Sequence, residues 1–155
     1  MNKRTSVENL AICDEQLKGS LKWLQRSYLQ CFPLLPETAK DKKFTDDEYD
    51  KLENLTSRFS RVTDLLINKV YRAIDVVELK QAGSLIDTIN NAEKKQLIDS
   101  VDQARTLKDI SNEIAHEYIL EEQRLILKEV LTETEKLIGL SHKAIEYSQR
   151  YLKNQ

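Results

Sequence analysis

Two runs of apolar residues at alternating three- and four-residue steps decide most of what this chain can fold into. In the first, Leu10, Cys13, Leu17, Leu21, Leu24, Tyr28 and Cys31 recur at that spacing. In the second it is Leu52, Leu55, Phe59, Val62, Leu66, Val70, Ile74 and Val77. Such a pattern places every member on one face of an α-helix, whereas a strand would need a period of two. A third set, Leu127, Val130, Leu131, Leu137, Ile138, Ala144, Ile145 and Tyr147, repeats it near the C-terminus. Three long helices with one apolar face each must bury those faces against one another.

Local signals bound the helices. Thr5-Ser-Val-Glu8 reads as a capping box, a hydroxyl followed three residues on by a carboxylate, so the first helix is expected over Ser6 to Cys31. Pro33 and Pro36 stop it, because proline lacks an N–H and disfavours helix in the residue before it. Thr45-Asp-Asp-Glu48 opens a second helix reaching from Asp46 to about Gln81, with Gly83 as its C-cap. Ser84-Leu-Ile-Asp87 opens a short third, ending near Ile98, and Ser100-Val-Asp-Gln103 a fourth. The fifth runs from Leu120 to Tyr151, with Gly139 marking a bend or a close approach. The expectation is one all-α domain over residues 1–155, an antiparallel bundle of about five helices.

Composition narrows the function. The chain has 24 Lys and Arg against 26 Asp and Glu, a net charge of -2, with no basic tail. No basic run or tail marks a general nucleic-acid binder, and any RNA contact needs a local basic cleft. Glu8, Asp14 and Glu15 interrupt any apolar leader after the basic start, so no signal peptide is expected. No stretch approaches the ~20 apolar residues of a membrane span. Cys13 and Cys31 fall on one helix, about 27 Å apart at ~1.5 Å per residue, too far for a disulfide. Free thiols suit a reducing cytoplasm.

No metal site or cofactor is expected. Glu113-Ile-Ala-His116 has the spacing of a di-iron ligand pair, but its second copy is missing, because Gly139 stands three residues before His142. Leu120 stands where a zincin's second histidine belongs. Trp23 is expected in the core or an interface, Tyr147 and Tyr151 as a packed helical pair, and His142 exposed without a partner.

The fourth helix carries the chemistry. At ~100° per residue, Arg105, Asp109, Asn112 and His116 fall on one narrow face. Leu107, Ile110, Ile114 and Ala115 fall opposite, with Ser111 and Tyr118 near the core side. Asn112 stands four residues before His116, where its amide can orient the imidazole. A polar stripe of this kind is ordinarily a solvated face.

Ser111-Asn112-Glu-Ile-Ala-His116-Glu-Tyr118 resembles the R-N-x-x-x-H-x-Y motif of HEPN-domain proteins, nearest to the HepT-type partners of minimal nucleotidyltransferases. Arg58-Phe59-Ser-Arg61-Val-Thr-Asp64-Leu65 resembles the family's preceding helix. The resemblance implies a helical homodimer whose two motifs face one cleft, forming the HEPN component of a bacterial toxin–antitoxin pair. It implies metal-independent RNA cleavage, with His116 as the catalytic histidine, Asn112 as its polar neighbour and Tyr118 as the tyrosine that a nucleotidyltransferase antitoxin modifies with AMP. Ser111 stands where the family's arginine belongs. Lys108 and Arg105, two and three turns from His116, or Arg72 on a neighbouring helix, are the candidate basic substitutes. Without one, the same fold is expected to act as a binding or regulatory subunit. A helical scaffold unrelated to the family would leave Asn112 and His116 in bulk solvent.

Overall fold

The structure, a computed structural model, describes residues 2–35, 44–79, 81–116 and 120–153, with residues 120–125 described by backbone alone. The described residues are helical almost throughout, in the order α1 (Lys3–Cys31), a 3-10 turn (Phe32–Leu34), α2 (Asp46–Asp64), a π segment (Leu65–Val70), α3 (Tyr71–Leu79), α4 (Leu85–Lys94), α5 (Val101–His116) and α6 (Leu120–Leu152). The bundle expected from the apolar stripes is present.

Helix α1 starts earlier than the Thr5 box implies. Asn2 is its N-cap, with Oδ1 accepting from the Thr5 N–H at 2.9 Å. Asparagine satisfies an orphan amide as well as threonine does. Glu8, freed from capping, pairs with Arg4 at 3.2 Å. The other two boxes close as read. Thr45 Oγ1 accepts from Glu48 N at 3.1 Å while Glu48 Oε1 accepts from Thr45 N at 2.9 Å. Ser84 and Asp87 exchange the same bonds at 3.2 and 3.0 Å. Gly83 is not a left-handed C-cap, since no glycine has positive φ. It makes room instead: a Cβ there would stand 2.8 Å from the Asp87 carboxylate that closes the second box. Gly139 marks no close approach, because nothing lies within 4 Å of a Cβ built there.

Helix α4 stops at Lys94 rather than near Ile98, and a backbone device explains it. Gln96 has φ 62. Leu97 N–H donates to Ala92 O and Gln96 N–H to Glu93 O, both at 2.9 Å, which is a Schellman close with the apolar Leu97 buried behind it. The left-handed position is usually glycine, because a Cβ there costs roughly 1–2 kcal/mol. Gln96→Gly is therefore expected to stabilise the chain by about 0.5–1 kcal/mol after glycine's extra unfolded-state entropy is counted. A thermal melt should rise by roughly 2 °C, and a fall would remove the strain assigned to Gln96.

The helices pack around one core. α1 lies against α2 and α3, with Arg58 reaching Ser27 and the Cys31 thiol donating to Lys51 O at 3.4 Å. α6 runs back along α1, where Gln25 meets His142 at 3.1 Å. α5 packs on α2 and α6, and α4 bridges α3 to α5. Three hydroxyls on α6, Thr134, Ser141 and Ser148, are fully buried at heptad spacing. Each donates to the carbonyl four residues back, at 2.5, 2.8 and 2.8 Å. These three hydroxyls are thus accommodated in the core with their oxygens satisfied. Cys13 and Cys31 are both buried and free, and burial pushes the Cys31 thiol up to about 11, which keeps it unreactive. No described helix is long and apolar enough to cross a membrane.

Candidate functional site

Helix α5 presents two faces. Ala104, Leu107 and Ile110 are buried and Ile114 packs partly against the core. Arg105, Asp109, Asn112 and His116 are all exposed on the other side, as the wheel predicts. Ala115, expected toward the core, is exposed.

Ser111 sits between the two faces, half-buried. Its Oγ is shielded from solvent and has no hydrogen-bond partner. The contrast with Thr134, Ser141 and Ser148, which all bond backward to their own helix, is direct. Tyr118 lies outside the described residues.

The candidate basic substitutes do not gather around His116. Arg105 pairs with Asp102, Nη1 to Oδ1, at 3.5 Å. It stands about 16 Å along the helix axis from His116, and Lys108 about 12 Å, at ~1.5 Å per residue. Together with Asp109 and Asn112 they line a cleft of about 260 Å³ against Leu85 and Ile89 of α4, and His116 is not among its walls. Arg72 lines a different cleft, beside Asn68 and Thr88. Arg58 turns toward α1, while Phe59 is core. Within one chain, then, α5 brings Asn112 and His116 to an open surface, with Ser111 between its two faces. Among the described residues, no three of His, Cys, Asp or Glu come together in a way that could hold a metal ion.

A second polar assembly escaped the sequence reading. Lys95, just past α4, reaches Asp75 Oδ1 at 2.5 Å and Glu78 Oε1 at 2.8 Å. Asn91 donates to Asp75 Oδ2 at 3.0 Å. Tyr147 donates to Glu78 Oε2 at 2.5 Å, and Tyr151 donates to the same oxygen. The two tyrosines are therefore a carboxylate clasp as well as a helical pair. Burial pushes the Glu78 carboxyl up, but the hydrogen bonds from Lys95, Tyr147 and Tyr151 and the Lys95 charge outweigh it and hold it below its ordinary value. All four carboxylate oxygens are occupied, which marks the group as structural. An open hollow of about 1050 Å³ lies beside it, with Lys95, Tyr147 and Arg150 in its wall.

His142 and Trp23 also differ in part from their expected surroundings. His142 is exposed, as expected, but it has a partner in the Gln25 amide. Trp23 belongs to no core: it is 46% exposed, and no described chain covers it. The outer surface of α1 is where a helix with one buried stripe must place its remaining residues.

No known family model, curated protein or solved structure matches the chain.

Proposed function

We propose that the chain is a HEPN-like component of a nucleotidyltransferase–HEPN module, acting as the binding subunit of its nucleotidyltransferase partner and not as a ribonuclease. The fold and the order Asn112, His116, Tyr118 support the family reading. Ser111 carries the second half. A ribonuclease of this type needs a cation at the scissile phosphate, and the position that would supply it holds a neutral hydroxyl turned from solvent. Solvent-open Asn112 and His116 suit one half of a homodimer cleft as well as a plain surface, so they carry no weight either way.

The test pairs two assays on the purified chain. RNA incubated with chelator is expected to stay intact with the native chain and with His116→Ala alike. A minimal nucleotidyltransferase is expected to be encoded by a neighbouring gene and to co-elute with the native chain. Ser111→Arg is expected to raise cleavage on the order of 10²-fold above background by restoring a positioned cation. Native cleavage that His116→Ala abolishes would return the ribonuclease reading. Failure to co-elute would sink the partnership.

A further inference from the structure

The outer face of α1 where it meets α2 joins three observations. Trp23 is exposed, and three cations surround its indole: Arg58 Cζ at 5.4 Å from the ring centroid, Lys22 Nζ at 5.6 Å and Arg26 Cζ at 5.7 Å. Arg58 is held in place, with Nη1 donating to the buried Ser27 Oγ at 2.6 Å and reaching Trp23 O at 3.4 Å.

The flanking sequence on both helices lacks opposing charge. Residues 16–35 contain Lys18, Lys22 and Arg26 and no Asp or Glu, and residues 54–63 contain Arg58 and Arg61 and again neither acid. Of these, Lys18 is neutralised by Asp14 and Glu15. Among the described residues no carboxylate pairs with Lys22, Arg26 or Arg58. In a chain of net charge -2, this is the local basic surface that the overall balance left open.

We propose that Trp23, Lys22, Arg26 and Arg58 form a contact site for single-stranded nucleic acid, one base stacking on the indole and the flanking phosphates meeting the cations. An exposed indole offers a π-face to any base, and fixed guanidinium groups beside it suit the phosphodiester backbone. A duplex has no free base face to offer. A lipid surface needs a contiguous apolar patch, but the helical neighbours of Trp23 are Gln16, Gly19, Ser20 and Gln30. A second copy of the same face would set cation against cation. The site stands apart from the α5 motif, since α1 packs on α2, α3 and α6 while α5 packs on α2, α4 and α6. It therefore does not depend on the function proposed above.

Trp23 is the single tryptophan, so its fluorescence reports this site alone. The probes are a fluorescein-labelled single-stranded RNA dodecamer, the matching DNA, the corresponding RNA duplex, and vesicles rich in anionic lipid. Both single strands are expected to quench the tryptophan and raise anisotropy, with affinity falling steeply as salt rises. Trp23→Ala and Arg26→Gln, both exposed positions that leave the core intact, are each expected to weaken binding about tenfold. His116→Ala is expected to change nothing. Absence of quenching, equal affinity in Trp23→Ala, tighter binding to duplex, or a blue shift with vesicles and none with oligonucleotide would each overturn the proposal. RNA binding lost in His116→Ala but kept in Trp23→Ala would assign it to α5 instead.

Discussion

Lys95→Ala should lower the melting temperature by roughly 6–12 °C, corresponding to a loss of about 3 kcal/mol. The lysine serves both Asp75 and Glu78, and the side chains of Asp75, Glu78 and Lys95 are only 3, 17 and 17% exposed. Removing one partner of a buried pair leaves charge without compensation, which typically costs about 3–5 kcal/mol. The lower end applies here because water still reaches Glu78 and the lysine. Lys95→Met keeps the aliphatic stem and should lose nearly as much, which separates charge from packing. Acid weakens the native clasp in a defined direction. Glu78 is held below its ordinary pKa, so its contribution is present above the unfolded value of about 4.3 and lost as pH falls through the folded value. Lys95 runs the other way. Burial lowers it, but Asp75 and Glu78 outweigh that and raise it above its ordinary value. Its contribution is complete below about 10.4 and lost as pH rises through the folded value. The gap between native and Lys95→Ala melts should therefore be wide at neutral pH and narrow in acid. A constant gap would mean that the clasp contributes through packing alone.

Tyr71→Ala should cost about 3–5 kcal/mol, the range for emptying a fully buried aromatic site. The ring is 2% exposed, and its hydroxyl reaches Leu97 O at a long 3.4 Å. Tyr71→Phe should thus cost less than about 1 kcal/mol, since the bond it removes is weak and nearly all the volume stays. Denaturant melts of the two variants separate cavity from hydrogen bond; equal losses would place the energy in the hydroxyl. Burial drives the phenol well above its ordinary pKa. Stability from the neutral phenol is complete below about pH 10 and lost as pH rises from there toward the folded value, so Tyr71→Phe should lose less stability than the native chain in alkali.

The long helices were legible because burial is written into the three-and-four spacing, and two of the caps because the boxes are local. What escaped was either non-local or chemically atypical. Nothing in the spacing of Asp75, Glu78 and Lys95 announces that a helix end folds back to join them. Gln96 hides a left-handed step because glycine is the residue that signals one. Trp23 was placed in the core or an interface because tryptophan usually is; against the core, the run of sequence without acid around Lys22 and Arg26 was the available clue. On α5 the exposed face of Arg105, Asp109, Asn112 and His116 was read from the wheel alone, but the unpartnered Ser111 oxygen needed coordinates.

The π segment left a trace as well. Val62, Leu66, Val70 and Ile74 follow one another at three successive four-residue steps, a drift that a straight α-helix would carry off the core face. The wide turn, in which Tyr71 N–H reaches Leu66 O, takes up that drift. It winds about one residue more than α-helix needs. Removing a single residue between 65 and 70 therefore lets the segment relax to α-helix with both flanking faces still on the core. A deletion elsewhere between Asp46 and Leu79 swings all that follows by about 100°. In this helix the chain's length is negotiable at one place, and a variant lacking one residue there is expected to keep the same bundle.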